Sequence, residues 1–269
     1  MNKQTFPKIV GILNVTPDSF SDGGKFFKFE DALAQASKLI ESGADILDLG
    51  GESTRPFAEQ IDEETECERV IPIIKAIKNK FPDALISIDT NKYKVAIKAI
   101  EAGASMLNDT SCLTKEKKLA ELAAKYDLPL VLMHIQGTPQ TMQINPVYEK
   151  DVVSEVIEFL KKQIELAKSI GAKQVIADPG IGFGKTLAHN LEILKRIEEF
   201  EALKVPIYLG LSRKSFIGKL FNIEKAEDRD LHSVLYHSLL LREKIDYIRV
   251  HNVKMISILK TIYNSLNSA

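Results

Sequence analysis

The 269-residue chain has no tryptophan, only two cysteines and almost no net charge. Lys and Arg number 36 against 37 Asp and Glu, a formal charge of −1. So balanced a chain has no global field to gather nucleic acid or an anionic membrane surface, and any anion site must be a local cluster. Cys67 and Cys112 stand far apart without metal-ligand spacing, which fits a reduced cytoplasmic setting and requires no role of either. No apolar run approaches the length of a membrane span, and Met1–Lys8 lacks the apolar stretch of a secretory signal. Neither a membrane nor a nucleic acid is expected as a partner.

What is present is a regular series of short apolar runs, each ending in residues that can do chemistry. Ile9–Leu13 ends at Asn14, Ala44–Leu49 carries Asp48 and runs into Glu52, and Leu85–Ile88 ends at Asp89. Ser105–Leu107 ends at Asn108 and Asp109, Pro129–Met133 at His134, and Val175–Ala177 at Asp178. Pro206–Leu211 ends at Ser212, Arg213 and Lys214, and Tyr247–Val250 holds Arg249 and ends at His251. Between the runs lie segments with a 3.6-residue apolar period. They are Glu30–Ser42, Lys92–Ala102, Lys115–Tyr126, Val152–Ile170, Leu187–Phe200, Asp230–Arg242 and Val253–Leu266. A further helix over about Glu63–Lys80 contains Pro72, which predicts a kink or a later start. Gly43, Gly103 and Gly171 each follow a helix and precede a strand, where a left-handed cap belongs. Eight such units predict one domain over 1–269, an α/β fold of the (β/α)8 barrel type. The strand ends would then meet on one rim, where such barrels place their active sites.

Two connections are long, Val15–Phe29 after the first strand and Gly51–Glu64 after the second, as expected of binding loops or lids. Gly180-Ile181-Gly182-Phe183-Gly184-Lys185-Thr186 invites a phosphate-loop reading. It fails, because the required first glycine is Pro179. What remains is a glycine-rich turn projecting Phe183, either as a stacking wall or as a core plug. Ser212-Arg213-Lys214-Ser215 leads into a short helical pattern, Phe216–Phe221, and Arg249 and His251 lie two apart on one face of their strand. Arg213, Lys214, Arg249 and His251 therefore predict a phosphate or diphosphate pocket. Opposite it, Asp89, Asn108 and Asp178 supply acceptors and one amide donor, a set suited to an amino-substituted nitrogen heterocycle. The histidines are too scattered for a zinc site, and His134, His232 and His237 read as structural. A metal, if used, is expected to be Mg²⁺ held partly by phosphate oxygens, with Asn14 as its protein ligand.

At these residues the chain resembles the dihydropteroate synthase family of folate biosynthesis, over nearly its whole length. Gly11–Gly24 and Asp48–Pro56 look like its first two signatures. Ile86–Thr90, Leu107–Asp109, Met133–Pro139, Asp178–Lys185, Ser212–Ser215 and Arg249–His251 follow in family order. The resemblance implies a barrel transferase that joins 7,8-dihydropterin-6-ylmethyl diphosphate to 4-aminobenzoate and releases diphosphate. It implies that Asp89, Asn108 and Asp178 hold the pterin, with Lys214 reaching it. Asn14, Arg249 and His251 would contact diphosphate and Mg²⁺. Thr54, Arg55, Pro56, Phe183, Lys214 and Ser215 would form the 4-aminobenzoate site, Thr54 also touching the pterin substrate. Asp22 would face the developing cation, so that Lys214, Asp22, Arg249 and His251 form the catalytic set. A homodimer is also implied. The competing readings are a pterin-dependent methyltransferase of the same superfamily and a non-catalytic pterin-binding relative. Asn252 and Cys112 depart from the family, which more often has Asp and Gly there.

Overall fold

The computed structural model describes residues 5–16, 25–53, 60–138 and 140–267. Eight strands are present: β1 (Lys8–Asn14), β2 (Ile46–Gly50), β3 (Ile86–Asp89), β4 (Met106–Asp109), β5 (Leu130–Met133), β6 (Val175–Asp178), β7 (Tyr208–Leu209) and β8 (Tyr247–Val250). All pair in parallel, in the order β6-β5-β4-β3-β2-β1-β8-β7. A parallel bridge between Ala177 and Ile207 joins the two ends of that series, and the Ala177 N–H donates to Pro206 O at 2.9 Å. The sheet thus comes round into a barrel.

The helices among the described residues are α1 (Lys25–Glu41), α2 (Glu63–Lys80), α3 (Tyr93–Glu101), α4 (Lys118–Tyr126), α5 (Val152–Ile170), α6 (Leu187–Lys195), α7 (Ser215–Phe221), α8 (Asp230–Leu240) and α9 (Val253–Asn267). None is long and apolar enough to cross a membrane. Gly43, Gly103 and Gly171 have φ of 97°, 112° and 113°, so each helix-ending glycine takes the left-handed conformation its position predicts.

Two helix ends lie five residues from the sequence expectation, and Pro72 does not delay the start of its helix. The first helix starts at Lys25, not Glu30, and Phe26 and Phe29 extend the apolar spacing of Leu33, Ala36 and Ile40 back toward that start. The helix with Pro72 runs unbroken from Glu63, so the later start is not seen. Asp62 caps it by accepting from the Thr65 N–H at 2.7 Å, and Pro72 faces solvent, where the carbonyl it leaves unpaired can be hydrated. The segment expected as one helix over Leu187–Phe200 breaks at Arg196, whose N–H is shared between Glu192 O and Ile193 O, and continues as a 3-10 helix, Ile197–Leu203.

Strand alternation sorts the side chains into two cores. Outward residues such as Leu47, Leu49, Ile86, Ile88, Leu130 and Leu132 pack under the helices in the main core. Inward residues Val10, Ile46, Met106, Val131, Ile176 and Tyr208 fill the lower barrel. One step further along the strands the inward positions turn polar. Asp48 lies opposite Ser87, and Asp89 opposite Asn108.

Candidate active site

The polar layer is organised around Arg249. Its Nε donates to Asp48 Oδ2 at 2.6 Å and its Nη2 to Asp89 Oδ2 at 2.9 Å. Asn108 Nδ2 donates to the same Asp48 oxygen at 3.1 Å. Burial works against the Arg249 charge, but Asp48 and Asp89 outweigh it and hold its pKa above the ordinary value. Burial raises Asp89 to about 7, against the pull of Arg249 and with help from the Asp48 charge. Asn108 Oδ1 is buried and has no partner within the protein. Such an atom is costly unless a ligand or water satisfies it, and as an amide oxygen it can accept an N–H.

Asp178 ends β6 beside this layer. Its Oδ1 accepts the Gly180 N–H at 2.7 Å, and burial raises its pKa to about 6. A side chain on Gly210 would place its Cβ 3.9 Å from Asp178 Oδ2 and 3.8 Å from Arg249 Cβ, so the bare glycine leaves space next to both. Gly180 is far more constrained, because a Cβ there would lie 1.8 Å from His134 O. The turn that carries Phe183 is thereby pressed against the end of β5.

Above the layer lies an open cavity of about 970 Å³, bordered by Asn14, Asp89, Phe183, Lys214, Ser215, Arg249 and His251. Asn108 and Asp178, 3% and 5% exposed, do not border it and belong to the polar layer beside it. Lys214 Nζ sits 3.8 Å from the centroid of the Phe183 ring, a cation–π contact. Burial, then Arg249, lowers the Lys214 pKa to about 7, and Asp178 and Asp89 oppose the shift. Phe183 is 8% exposed and packs on Met133 and Met142, so it serves both as a wall of the cavity and as part of a small core.

The expected four-cation pocket is only partly realised. Arg213 borders the cavity, but Asp230 takes its guanidinium through two bonds of 2.6 and 2.9 Å. Its backbone is left-handed, with φ 60°. His251 is a neutral group and not a cation, since burial, then Arg213 and Arg249, lowers its pKa to about 3. Its Nδ1 lies 3.1 Å from Ser212 Oγ. Arg249 is likewise paired, with Asp48 and Asp89, so with His251 neutral Lys214 is the one cation of the expected four in no ion pair among the described residues. Asp22, Thr54, Arg55 and Pro56 lie outside the described residues.

Three participants were not singled out from sequence. Asp48 was visible as a lone charge inside an apolar run, and its inward register is the signal that marks it. Lys185 was seen only as the end of a failed phosphate-loop string. Its Nζ lies 2.8 Å from His134 Nδ1, buried against the barrel end. Lys92 bridges Glu52 and Glu66 at 2.8 and 2.6 Å and ties down the start of the second long loop, a pairing across many residues that no local pattern reveals.

For Mg²⁺, the described residues contain no group of three His, Cys, Asp or Glu able to cage a metal. Asn14 offers one hard oxygen donor at the end of β1, on the cavity wall. That donor set fits an ion held mainly by substrate phosphate oxygens.

Buried carboxylates and an open amide acceptor at the C-terminal end of a parallel barrel, beside a lysine on an aromatic wall, define a barrel enzyme for a nitrogen-rich ring. The family model for pterin binding enzymes matches residues 10–251. The dihydropteroate synthase of Haemophilus influenzae is 41% identical over 265 residues, covering 98% of this chain and 95% of its own. The structure of the Clostridium difficile dihydropteroate synthase in the presence of pteroic acid superposes with TM-score 0.91 at 40% identity, covering 99% and 98%. That of the Xanthomonas albilineans dihydropteroate synthase in complex with 7,8-dihydropteroate gives 0.88 at 36% identity, covering 100% and 96%. The chain belongs to the dihydropteroate synthase family.

Proposed function

We infer that this chain is a transferase of folate biosynthesis that joins 7,8-dihydropterin-6-ylmethyl diphosphate to 4-aminobenzoate, giving 7,8-dihydropteroate and diphosphate. The observation that carries the reading is the polar layer of Asp89, Asn108 and Asp178, with an unpartnered amide oxygen, together with Lys214 on Phe183. That layer accepts the N–H groups of the pterin ring, and Asn108 Oδ1 gains the partner it lacks. Phe183, with Ser215 beside it, gives the arylamine a flat wall, and Lys214 spans both substrates.

Breaking the carbon–oxygen bond separates charge, negative on diphosphate and positive on the pterin methylene. Lys214 and Arg249 are fixed before the reaction and stabilise the leaving diphosphate without reorganising. His251, neutral, contributes hydrogen bonding there and not charge. Mg²⁺, when bound through Asn14 and the substrate, would neutralise part of the diphosphate charge. An arylamine nitrogen is weakly basic and attacks without a strong general base. Asp22 is assigned to the developing positive charge, and Thr54, Arg55 and Pro56 to the arylamine.

The enzyme is proposed to act as a cytoplasmic homodimer. Leu231, Leu235 and Leu239 on α8 and Ile258, Ile262 and Leu266 on α9 are exposed at four-residue spacing, two apolar stripes that a second copy would cover. Both cysteines are free and buried, as suits a reducing compartment. The deciding experiment mixes purified protein, pterin diphosphate, 4-aminobenzoate and Mg²⁺ and assays diphosphate. Release that requires the arylamine is expected, and arylamine-independent or absent release refutes the assignment.

A further inference from the structure

Lys185 is only 2% exposed, yet it carries a titratable amine into the protein interior. Burying it unpaired would be costly. Its Nζ donates to Phe183 O at 3.1 Å and lies 2.8 Å from His134 Nδ1. Burial lowers the Lys185 pKa to about 7, with the Asp178 charge opposing the shift. In its ammonium form it can only donate, so the histidine nitrogen facing it then accepts, which requires a neutral ring with its proton on Nε2. The surroundings hold it so: burial first, then the Lys185 charge, keep the His134 pKa well below the ordinary value. The His134 ring is fixed edge-on to Phe159 at 5.0 Å and tilted to Tyr148 at 6.2 Å. The His134 backbone N–H donates to the Asp178 backbone carbonyl at 2.9 Å.

The glycine-rich turn is wired on its other sides as well. Gly182 N–H donates to Asn190 Oδ1 at 2.6 Å, Gln143 donates to Gly182 O at 2.8 Å, and the Tyr148 hydroxyl donates to Gly184 O at 2.9 Å. Among these bonds, the one from Lys185 is made to the carbonyl of Phe183 itself. It links the peptide that carries the aromatic wall to the end of β5. Phe183 must stand at a set height for its ring to meet Lys214 Nζ at 3.8 Å.

We propose that Lys185, braced by His134, is a positioning residue that fixes Phe183 against Lys214 and so sets the arylamine half of the site. The role of the half-site rests on the function inferred above; the mechanical linkage does not. Lys185 touches neither substrate in this reading and acts through the Phe183 peptide.

The absence of tryptophan from the chain supplies a clean probe. Phe183→Trp introduces a single emitter at the wall. Adding Lys185→Met, which keeps length but removes the donors, is expected to shift the emission and change its quenching. An unchanged spectrum overturns the proposal whether or not the protein is a synthase. Kinetically, Lys185→Met in the otherwise native enzyme should raise KM for 4-aminobenzoate about tenfold, the scale of losing a charged buried hydrogen bond. KM for pterin diphosphate should change much less. In a Phe183→Ala background the same substitution should add little, because the linkage has no ring left to place. Equal effects on both substrates, or full additivity with Phe183→Ala, overturn it. Should Lys185→Met fail to fold, His134→Leu and His134→Asn make the same test. Asn can still present an acceptor to Lys185 and should restore the arylamine KM relative to Leu, and no difference between the two counts against the proposal.

Discussion

The lower and upper halves of the barrel interior come from the same strands and the same alternation, yet they behave as opposite materials. Below, Val10, Ile46, Met106, Val131, Ile176 and Tyr208 close on one another as an apolar plug. Above, Asp48, Asp89, Asn108, Asp178 and Arg249 are buried polar groups whose mutual bonds leave Asp48 Oδ1 and Asn108 Oδ1 unsatisfied. The plug stabilises the fold by removing apolar surface from water. The upper layer costs stability, since buried charges seldom recover their full desolvation. The two adjacent layers separate rigidity from chemistry: a packed base holds unsatisfied groups in place until a ligand completes them.

The largest test of that contrast is Arg249→Ala. It strands two buried carboxylates and should destabilise by about 3–5 kcal/mol. The turnover of any folded fraction should fall by about 10²–10³-fold. Urea unfolding and steady-state kinetics measure both, and a variant of native stability would show that the upper layer is not held by this pair. Ile176→Ala, one layer down, should cost about 2–5 kcal/mol by leaving a cavity, with both KM values unchanged. A changed KM would mean that the layers are not separable.

Asp178→Asn keeps the shape but removes the charged acceptor. Calorimetry with a pterin ligand should show affinity weakened by about tenfold or more. The pH dependence sharpens the comparison within the upper layer. Asp89 and Asp178, raised to about 7 and about 6, lose their acceptor charges in turn as pH falls through those values. Lys214, lowered to about 7, loses its positive charge as pH rises through that value. The kcat/KM profile should therefore fall on both sides of a narrow near-neutral optimum. Lys214→Arg, which does not titrate in this range, should shrink the alkaline limb to the part that Lys185, also lowered to about 7, contributes. The smallest effect is expected at the rim. Asn252 Nδ2 donates to Asp230 Oδ2 at 2.9 Å, so Asn252→Asp sets two carboxylates around Arg213. In this partly exposed setting the stability change should stay under about 1 kcal/mol by thermal melting.

The order and type of the strands could be read from the chain because each depends on local periodicity. Glycine caps at 43, 103 and 171 and the β/α alternation are properties of neighbouring residues. The rim residues Asp89, Asn108, Asp178, Lys214 and Arg249 could be read for the same reason, since each ends or follows an apolar run. Less visible was how the charges would pair. Arg213 looked like an anion ligand from its place beside Lys214, but a left-handed backbone and Asp230 draw it aside. His251 looked cationic beside Arg249, and burial makes it neutral. Lys185 closes the glycine-rich turn, receives no role from the local pattern, and turns inward to His134.

The sequence alone determined that this chain would wind as repeated strand and helix and would present polar groups where its strands end, because a two-residue strand period and a 3.6-residue helix period are written in local order. Only the closed barrel decided which of those groups meet. Arg249 finds Asp48 and Asp89 across 201 and 160 positions of chain. Those distances are bridged by sheet register and closure, and the ionisation state of each group then follows from how much water the assembled barrel excludes.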